Sequence, residues 1–252
     1  MIATFSLPFV ISRRLRLKYG ASERAFAAGC LGMLVFSLLL EALVLFLLMR
    51  GKLEIWLSYR PVTKALFYGL VAAALEEPGR LIIYHTIMKN RRDRDVNAWM
   101  YGIGYGGFEG MITVGLPMLN YFIWSILINT GMVGTAEFNK TIYLLETSPA
   151  WLFLLLWFEQ ALWMLIYISF SVMVWFAMKR KNALYFAAAF LLHVLAQSAE
   201  TYLSNNSESE LVLTGVLLIL CAVICFAGYA VRKKETNRAV TPDVQNAQEN
   251  HG

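Results

Sequence analysis

The sequence predicts an all-α fold, a polytopic transmembrane helical bundle of about six to seven spans. Hydrophobic residues make up 58% of the 252-residue chain and the mean hydropathy is +0.55, which is too apolar for a soluble domain. Six apolar segments are each long enough to cross about 30 Å of hydrocarbon. The basic residues cluster in short loops, as membrane topology requires, so the net charge of +5 does not indicate nucleic-acid binding.

The six predicted spans occupy most of the chain and divide it into three regions. We expect an N-terminal interfacial or short helix with a basic loop at 1–24, a transmembrane helical domain at 25–231 and a disordered tail at 232–252. The third and fourth spans are longer than a bilayer requires, which predicts a tilt or a break. The spans cover residues 25–49, 64–88, 98–130, 149–178, 183–203 and 210–231.

Loop charges predict the orientation in the cell membrane. Clusters of lysine and arginine precede the first span and follow the second, fourth and sixth, so these loops alternate. They are expected to be cytoplasmic, which includes the N- and C-terminal basic regions. The acid-leaning loops around 137–146 and 204–210 are expected to face outward. The loop at 50–64 is an exception, because it is predicted to lie outside and yet carries four basic residues.

Charged residues lie near the middle of the second span. Glu76 and Glu77 are about twelve residues from either end and Arg80 lies one helical turn further on, close to the bilayer midplane, where each charge costs at least about 2.5 kcal/mol. On a helix both glutamates reach Arg80, at i+4 and i+3. Pro78 and Gly79 loosen the backbone between them and predict a water-filled cavity beside the carboxylates. The alternatives are a simple kinked helix and an ion pair that only holds helices together.

The third span carries a glycine face and a further acid. Gly102, Gly106 and Gly110 recur every four residues, which predicts close contact with a neighbouring helix. The segment does not follow a strand, so it is not a nucleotide-binding loop. Glu109 is either a third acid in the same cavity or a carboxyl on the packing face whose partner is a hydroxyl or amide.

The fifth span places His193 and Gln197 one turn apart on one face. Two such donors could point towards one oxyanion, although a lone histidine in a membrane span is also a common core residue. Glu159 and Tyr167 in the fourth span are weaker, supporting candidates. Together with a buried carboxylate as base, these residues suit peptide hydrolysis by an activated water.

Other hydrolytic chemistries fit the sequence less well. A Gly-x-Ser-x-Gly motif is absent, and the three cysteines lie in apolar segments without a nearby base. A His-Glu-x-x-His motif is absent and only one histidine lies at mid-membrane depth, so no metal or other cofactor is predicted, with a divalent metal such as zinc as the alternative.

Four sequence features together resemble the YhfC family of bacterial membrane proteins. They are EEPGR in the second span, GIGYGGFEG in the third, the Glu-Gln pair in the fourth and the histidine in the fifth. That family is related to the CPBP (type II CAAX prenyl endopeptidase-like) and PrsW proteases and to the Aph subunit of gamma-secretase. The resemblance covers about residues 25–231. It implies a glutamic-type intramembrane protease, described earlier as metal-dependent, that acts on a membrane-protein or peptide substrate within the lipid bilayer.

The resemblance also implies roles for individual residues. Glu76 is matched to the catalytic base, Glu77 and Arg80 to its partners, Glu109 to the acid of the second motif and His193 to the last histidine. No oligomeric state is predicted.

The chain departs from the family pattern at three positions. Tyr167 stands where a histidine is usual, about eight residues after Glu159, and Gln160 and Gln197 replace a usual arginine and aspartate. The missing histidine makes the metal-dependent variant the least favoured. It also leaves open a catalytically impaired scaffold or chaperone on the same fold. A small proton-coupled transporter is a third hypothesis, although the sequence has no obvious inverted repeat.

Overall fold

The structure is a computed structural model and describes residues 1–132, 139–207 and 209–249. Over these ranges the ordered elements are helices and no strand is formed, which confirms the all-α prediction. The elements are α1 Ile2–Tyr19, α2 Glu23–Gly32, a first π-helical segment Met33–Glu41, α3 Ala42–Leu48, α4 Lys52–Ser58, α5 Pro61–His85, a 3-10 turn Lys89–Arg91, α6 Val96–Gly110, a second π-helical segment Met111–Gly115, α7 Leu116–Asn129, α8 Asn139–Thr147, α9 Ala150–Arg180, α10 Ala183–Asn206 and α11 Glu210–Glu249.

Five continuous helical stretches in the described chain are long and apolar enough to cross a membrane. They are Glu23–Leu48, Val96–Asn129, Ala150–Arg180, Ala183–Asn206 and Glu210–Arg238. Helix α5 is also 25 residues long, but three charged residues in its middle make it less apolar than these five stretches. It nevertheless packs along α10 inside the bundle. The five stretches together with α5 agree with the predicted number of spans.

Two of the spans contain an irregular turn. The third span, for which a tilt or a break is predicted, is one continuous helix with a π-helical segment, Met111–Gly115, between α6 and α7. The fourth span, α9, runs unbroken for 31 residues. The π-helical segment Met33–Glu41 in the first span was not predicted. A π-helical turn changes the direction of the side chains that follow it, and the first of the two segments lies directly against α5.

The glycine face of α6 makes the predicted close contact with a neighbouring helix, and that helix is α9. A Cβ atom placed on Gly106 would lie 2.8 Å from the Cα of Met164, and one on Gly102 would lie 2.5 Å from the Cα of Ile168. These clashes are with backbone, which cannot move aside. The small residues therefore set the distance between α6 and α9.

The N-terminal helix α1 packs onto the bundle. Pro8 fills the space over Gly107, where an added Cβ would lie 2.5 Å from its Cβ, and the ring of Phe5 lies over Gly115. The predicted short N-terminal helix is therefore present over 18 residues, and it lies against α6.

The C-terminal region differs from the disordered tail predicted at 232–252. Helix α11 continues to Glu249, the last residue the structure describes. Glu235 is only 1% exposed, accepts a hydrogen bond from the hydroxyl of Tyr185 at 2.7 Å and lies 2.7 Å from Nε of Arg180. Because these contacts join α11 to the ends of α9 and α10, the start of the tail belongs to the folded bundle.

Candidate active site

The structure brings Glu76, Glu77 and Arg80 of α5 together with His193 of α10. Their exposed fractions are 2%, 0%, 0% and 0%. Helices α5 and α10 approach closely because Gly69 presents no side chain, and a Cβ there would lie 2.6 Å from the carbonyl oxygen of Val194. We call these four side chains the charged cluster.

Arg80 pairs with both neighbouring carboxylates, as the helical spacing predicts. Its Nη1 donates to Oε1 of Glu77, and its Nη2 donates to Oε2 of Glu76 at 3.2 Å. One cation therefore serves two buried acids. Such charges are tolerated inside a protein only when they are paired and hydrogen-bonded.

The orientation of His193 is fixed by Glu77. Nδ1 of the ring lies 2.6 Å from Oε1 of Glu77. A carboxylate only accepts, so Nδ1 carries the proton, and in the neutral ring Nε2 is left as an acceptor. Nε2 is buried, has no hydrogen-bond partner and lies 3.8 Å from Oε2 of Glu76. The unpartnered Nε2 of His193 therefore lies beside the second carboxylate.

Aromatic rings enclose the charged cluster. The guanidinium carbon of Arg80 lies 4.7 Å from the ring centroid of Tyr105 and 5.4 Å from that of Tyr167. The ring of Phe170 stacks on His193, with centroids 4.9 Å apart and planes 18° apart. These rings exclude water and offer their negative faces to the cation. Tyr105 and Phe170 were missed in the sequence, although each is a helical neighbour of a predicted site residue, Glu109 and Tyr167 respectively.

Glu109 lies beside the charged cluster and is joined to it through Tyr167. The hydroxyl of Tyr167 donates to Oε1 of Glu109 at 3.0 Å, and Oε2 is buried without a partner. The ring of Tyr167 meets the ring of His193 edge-on at 6.1 Å. A hydroxyl therefore satisfies one oxygen of Glu109 while the carboxyl also borders the charged cluster, and a catalytic part for Glu109 stays a prediction.

Gln197 and Glu159 lie away from the charged cluster. Nε2 of Gln197 donates to Oε2 of Glu200 at 3.0 Å, so it does not join His193 in pointing at one oxyanion. The amide bonds instead to a carboxyl oxygen three residues further along the same helix. Glu159 accepts a hydrogen bond from the hydroxyl of Thr214 on α11. Glu200 was also missed, although a spacing of seven residues from His193 places it on the same helical face.

The predicted opening of the backbone at Pro78 and Gly79 is not formed. Helix α5 continues through both residues to His85, and the cluster beside them is closed to solvent. Gly79 instead makes room for the ring of Phe36, since an added Cβ would lie 2.5 Å from its Cγ. The small residue is therefore used for packing against the first π-helical segment.

The fold and the charged cluster define a polytopic helical membrane protein with a buried carboxylate–arginine–histidine site. A family model described as YhfC intramembrane metalloprotease matches residues 3–223, and the chain belongs to this family. The chain is also similar to the uncharacterized membrane protein YhfC of Bacillus subtilis (strain 168). The two are 27% identical over 201 residues, which cover 76% of this chain and 77% of that protein. No solved structure matches the chain.

The family description implies a metal ion, and the side chains of the site do not fit one. Arg80 binds both carboxylates of the cluster, and its positive charge lies where a divalent cation would need those oxygens. A protein zinc site needs three or four ligands. Within the described ranges, no three or more His, Cys, Asp or Glu side chains are grouped so that they could hold an ion.

Proposed function

We propose that this protein is an intramembrane peptidase that hydrolyses peptide bonds of membrane-associated substrates with a glutamate-activated water. The observation that carries the proposal is the arrangement of His193 between two carboxylates, with Nδ1 on Glu77 and Nε2 facing Glu76. Membership of a family described as intramembrane metalloprotease supports peptide hydrolysis as the reaction class. The substrate is a membrane protein or peptide, and the protein uses no metal and binds no nucleic acid.

In this proposal each residue of the charged cluster has one task. A water bound between Glu76 and Nε2 of His193 loses a proton to Glu76 as its oxygen attacks the scissile carbonyl carbon. Glu77 keeps the imidazole in the tautomer that accepts at Nε2, and Arg80 offsets the negative charge that develops on the carbonyl oxygen. The same proton then passes from Glu76 to the leaving nitrogen as the carbon–nitrogen bond breaks. Glu109 and Tyr167 position the ring of His193 from the side.

Substrate must reach a cluster that is closed in this structure. A peptide reaches Glu76 only if α5 and its neighbours separate locally, and Gly69 and Gly79 mark the two places where α5 touches them most closely. We propose that the basic loops and the N- and C-terminal basic regions face the cytoplasm, which places the acidic residues near the end of α10 and the start of α11 at the outer surface.

The test is a cleavage assay in liposomes. Purified protein is incubated with a mixture of synthetic transmembrane peptides, and products are identified by mass spectrometry. We expect cleavage by the parent and by Glu159→Gln, which changes a carboxylate outside the cluster, and loss of cleavage in Glu76→Gln and His193→Ala. Addition of a chelator should not change the rate. If both cluster variants still cleave the peptides, the proposed active site is wrong. If a chelator abolishes cleavage and added zinc restores it, the mechanism is metal-dependent.

A second candidate is a catalytically impaired scaffold or chaperone on the same fold. The observation that favours it is the closed cluster, in which Arg80 already compensates both acids. It predicts that Glu76→Gln leaves a cellular phenotype intact, whereas Gly106→Leu, which separates α6 from α9, abolishes it. A phenotype lost in stably inserted Glu76→Gln protein would count against this alternative.

A further inference from the structure

A second site lies on the membrane-facing side of the bundle, away from the charged cluster. Helices α6, α9 and α11 border a cavity of about 170 Å³ whose walls are almost entirely apolar. The cavity is open on one side, since Tyr229 is 57% exposed and Leu165 is 44% exposed. Its depth comes from Gly228, which has no side chain opposite Ser169. The lining residues that matter are Trp99, Leu165, Ile168, Cys225, Gly228 and Tyr229.

Two polar side chains of this wall are already bonded within the protein. The hydroxyl of Ser169 donates to the carbonyl oxygen of Leu165 at 3.0 Å and lies 3.5 Å from Sγ of Cys225. The part of the wall opposite Gly228 therefore offers no free hydroxyl to a polar ligand. It suits a hydrocarbon chain, which needs contact area and no hydrogen bonds.

A positive charge stands at one end of the cavity. The guanidinium of Arg232 lies 4.8 Å from the ring of Trp99, and Arg232 is exposed. The next two residues, Lys233 and Lys234, are also exposed and basic. Tryptophan, tyrosine and arginine at the end of a membrane-spanning segment mark the level of the lipid headgroups. The apolar wall suits the acyl chain of a phospholipid, and the cation at headgroup level suits the phosphate of the same molecule.

We propose that this cavity, the α6–α9–α11 groove, binds an anionic phospholipid, with an acyl chain against Gly228 and the phosphate on Arg232. Arginine retains free N–H donors while its face rests on an aromatic ring, so it can hold Trp99 and a phosphate together. The charge favours an anionic lipid over a zwitterionic one. The bilayer itself supplies the ligand.

The experiment uses fluorescence quenching in liposomes of the full-length protein. Phosphatidylglycerol or phosphatidylcholine carrying brominated acyl chains is added at equal mole fraction, and the signal of Trp99 is taken as the difference between the parent and Trp99→Phe. We expect stronger quenching of Trp99 by the anionic lipid. Arg232→Gln should lower this preference about fivefold. Lys234→Gln, which removes the same charge two residues away, should leave the preference nearly unchanged.

A second variant tests the cavity itself. Gly228→Leu places a side chain against Ser169, since even its Cβ would lie 3.0 Å from the Cβ of that serine. We expect it to reduce quenching by both lipids, with the helical circular dichroism and gel-filtration profile of the parent retained. Equal quenching by the two lipids, or equal effects of Arg232→Gln and Lys234→Gln, would overturn the proposal. Loss of quenching as the protein-to-lipid ratio rises would show that a second copy of the chain covers the groove instead.

Discussion

Oε1 of Glu77 is shared between two side chains: Nδ1 of His193 lies 2.6 Å from it, and Nη1 of Arg80 donates to the same atom. The other oxygen of Glu77 is buried without a partner. Glu77 is therefore the residue that joins α5 to α10 and fixes both the cation and the imidazole. Glu76, which contacts Arg80 at 3.2 Å, is held less closely, and we propose that it is the carboxylate that reacts.

Removing the charge of Arg80 should destabilise the protein strongly. Arg80→Gln leaves two buried carboxylates without a counter-ion, and we expect a loss of about 3–5 kcal/mol in the free energy of unfolding. Arg16→Gln is the matched control, because Arg16 pairs with Glu23 at the exposed surface and should cost under about 1 kcal/mol. Thermal unfolding in detergent compares the two. Equal shifts in Tm would mean that the cluster does not stabilise the fold.

The two glutamates of the cluster should differ in their kinetic effects. Glu77→Gln keeps the shape of the side chain but weakens the orientation of His193, so we expect kcat to fall about 10²–10⁴-fold with KM little changed. Glu76→Gln removes the base and should abolish turnover. Both variants are first checked for an unchanged elution volume. An unaltered kcat in Glu77→Gln would show that the imidazole needs no orienting carboxylate.

The bond between Tyr167 and Glu109 should appear as an energetic coupling. Tyr167→Phe leaves Oε1 of Glu109 without its donor and should cost about 1–3 kcal/mol. In a double-mutant cycle with Glu109→Gln, the two changes should be non-additive by about 0.5–3 kcal/mol. Strict additivity of the unfolding free energies would mean that the contact contributes nothing.

Alanine substitutions at two glycines should have opposite effects. Gly106→Ala pushes a methyl group against the backbone of Met164, and we expect a cost of about 1–3 kcal/mol. Gly215→Ala in α11 meets no atom within 4 Å and should stabilise its helix by about 0.5–1 kcal/mol. The Tm of each variant and of the parent, measured in the same detergent, tests both expectations. A tolerated Gly106→Ala would show that α6 and α9 do not need their close approach.

The sequence was informative where a pattern is local to one helix. The spacing of Glu76, Glu77 and Arg80 along α5 predicted their ion pairs. The glycine repeat of α6 predicted close contact with a neighbouring helix. Both predictions concern residues three or four apart, which any α-helix brings together.

Contacts between helices could not be read from the sequence in the same way. That His193 meets Glu77, and that Gln197 turns instead to Glu200, depends on the rotation of α10 against α5. Gly69 allows the two helices to approach closely at Val194, but its place in the sequence does not give their rotation. The ring of Phe36 packs over Gly79, and Phe36 lies in the π-helical segment of another span, which the sequence did not predict.

The most direct test of the account is a comparison of membrane-protein cleavage with and without the carboxylate of Glu76. Membranes from cells that express the parent or Glu76→Gln at equal levels are analysed by mass spectrometry for newly formed N-termini. We predict a set of N-termini within or beside transmembrane segments that is present with the parent and absent with Glu76→Gln. The same set in both samples would contradict the proposal that this buried carboxylate activates water for peptide hydrolysis.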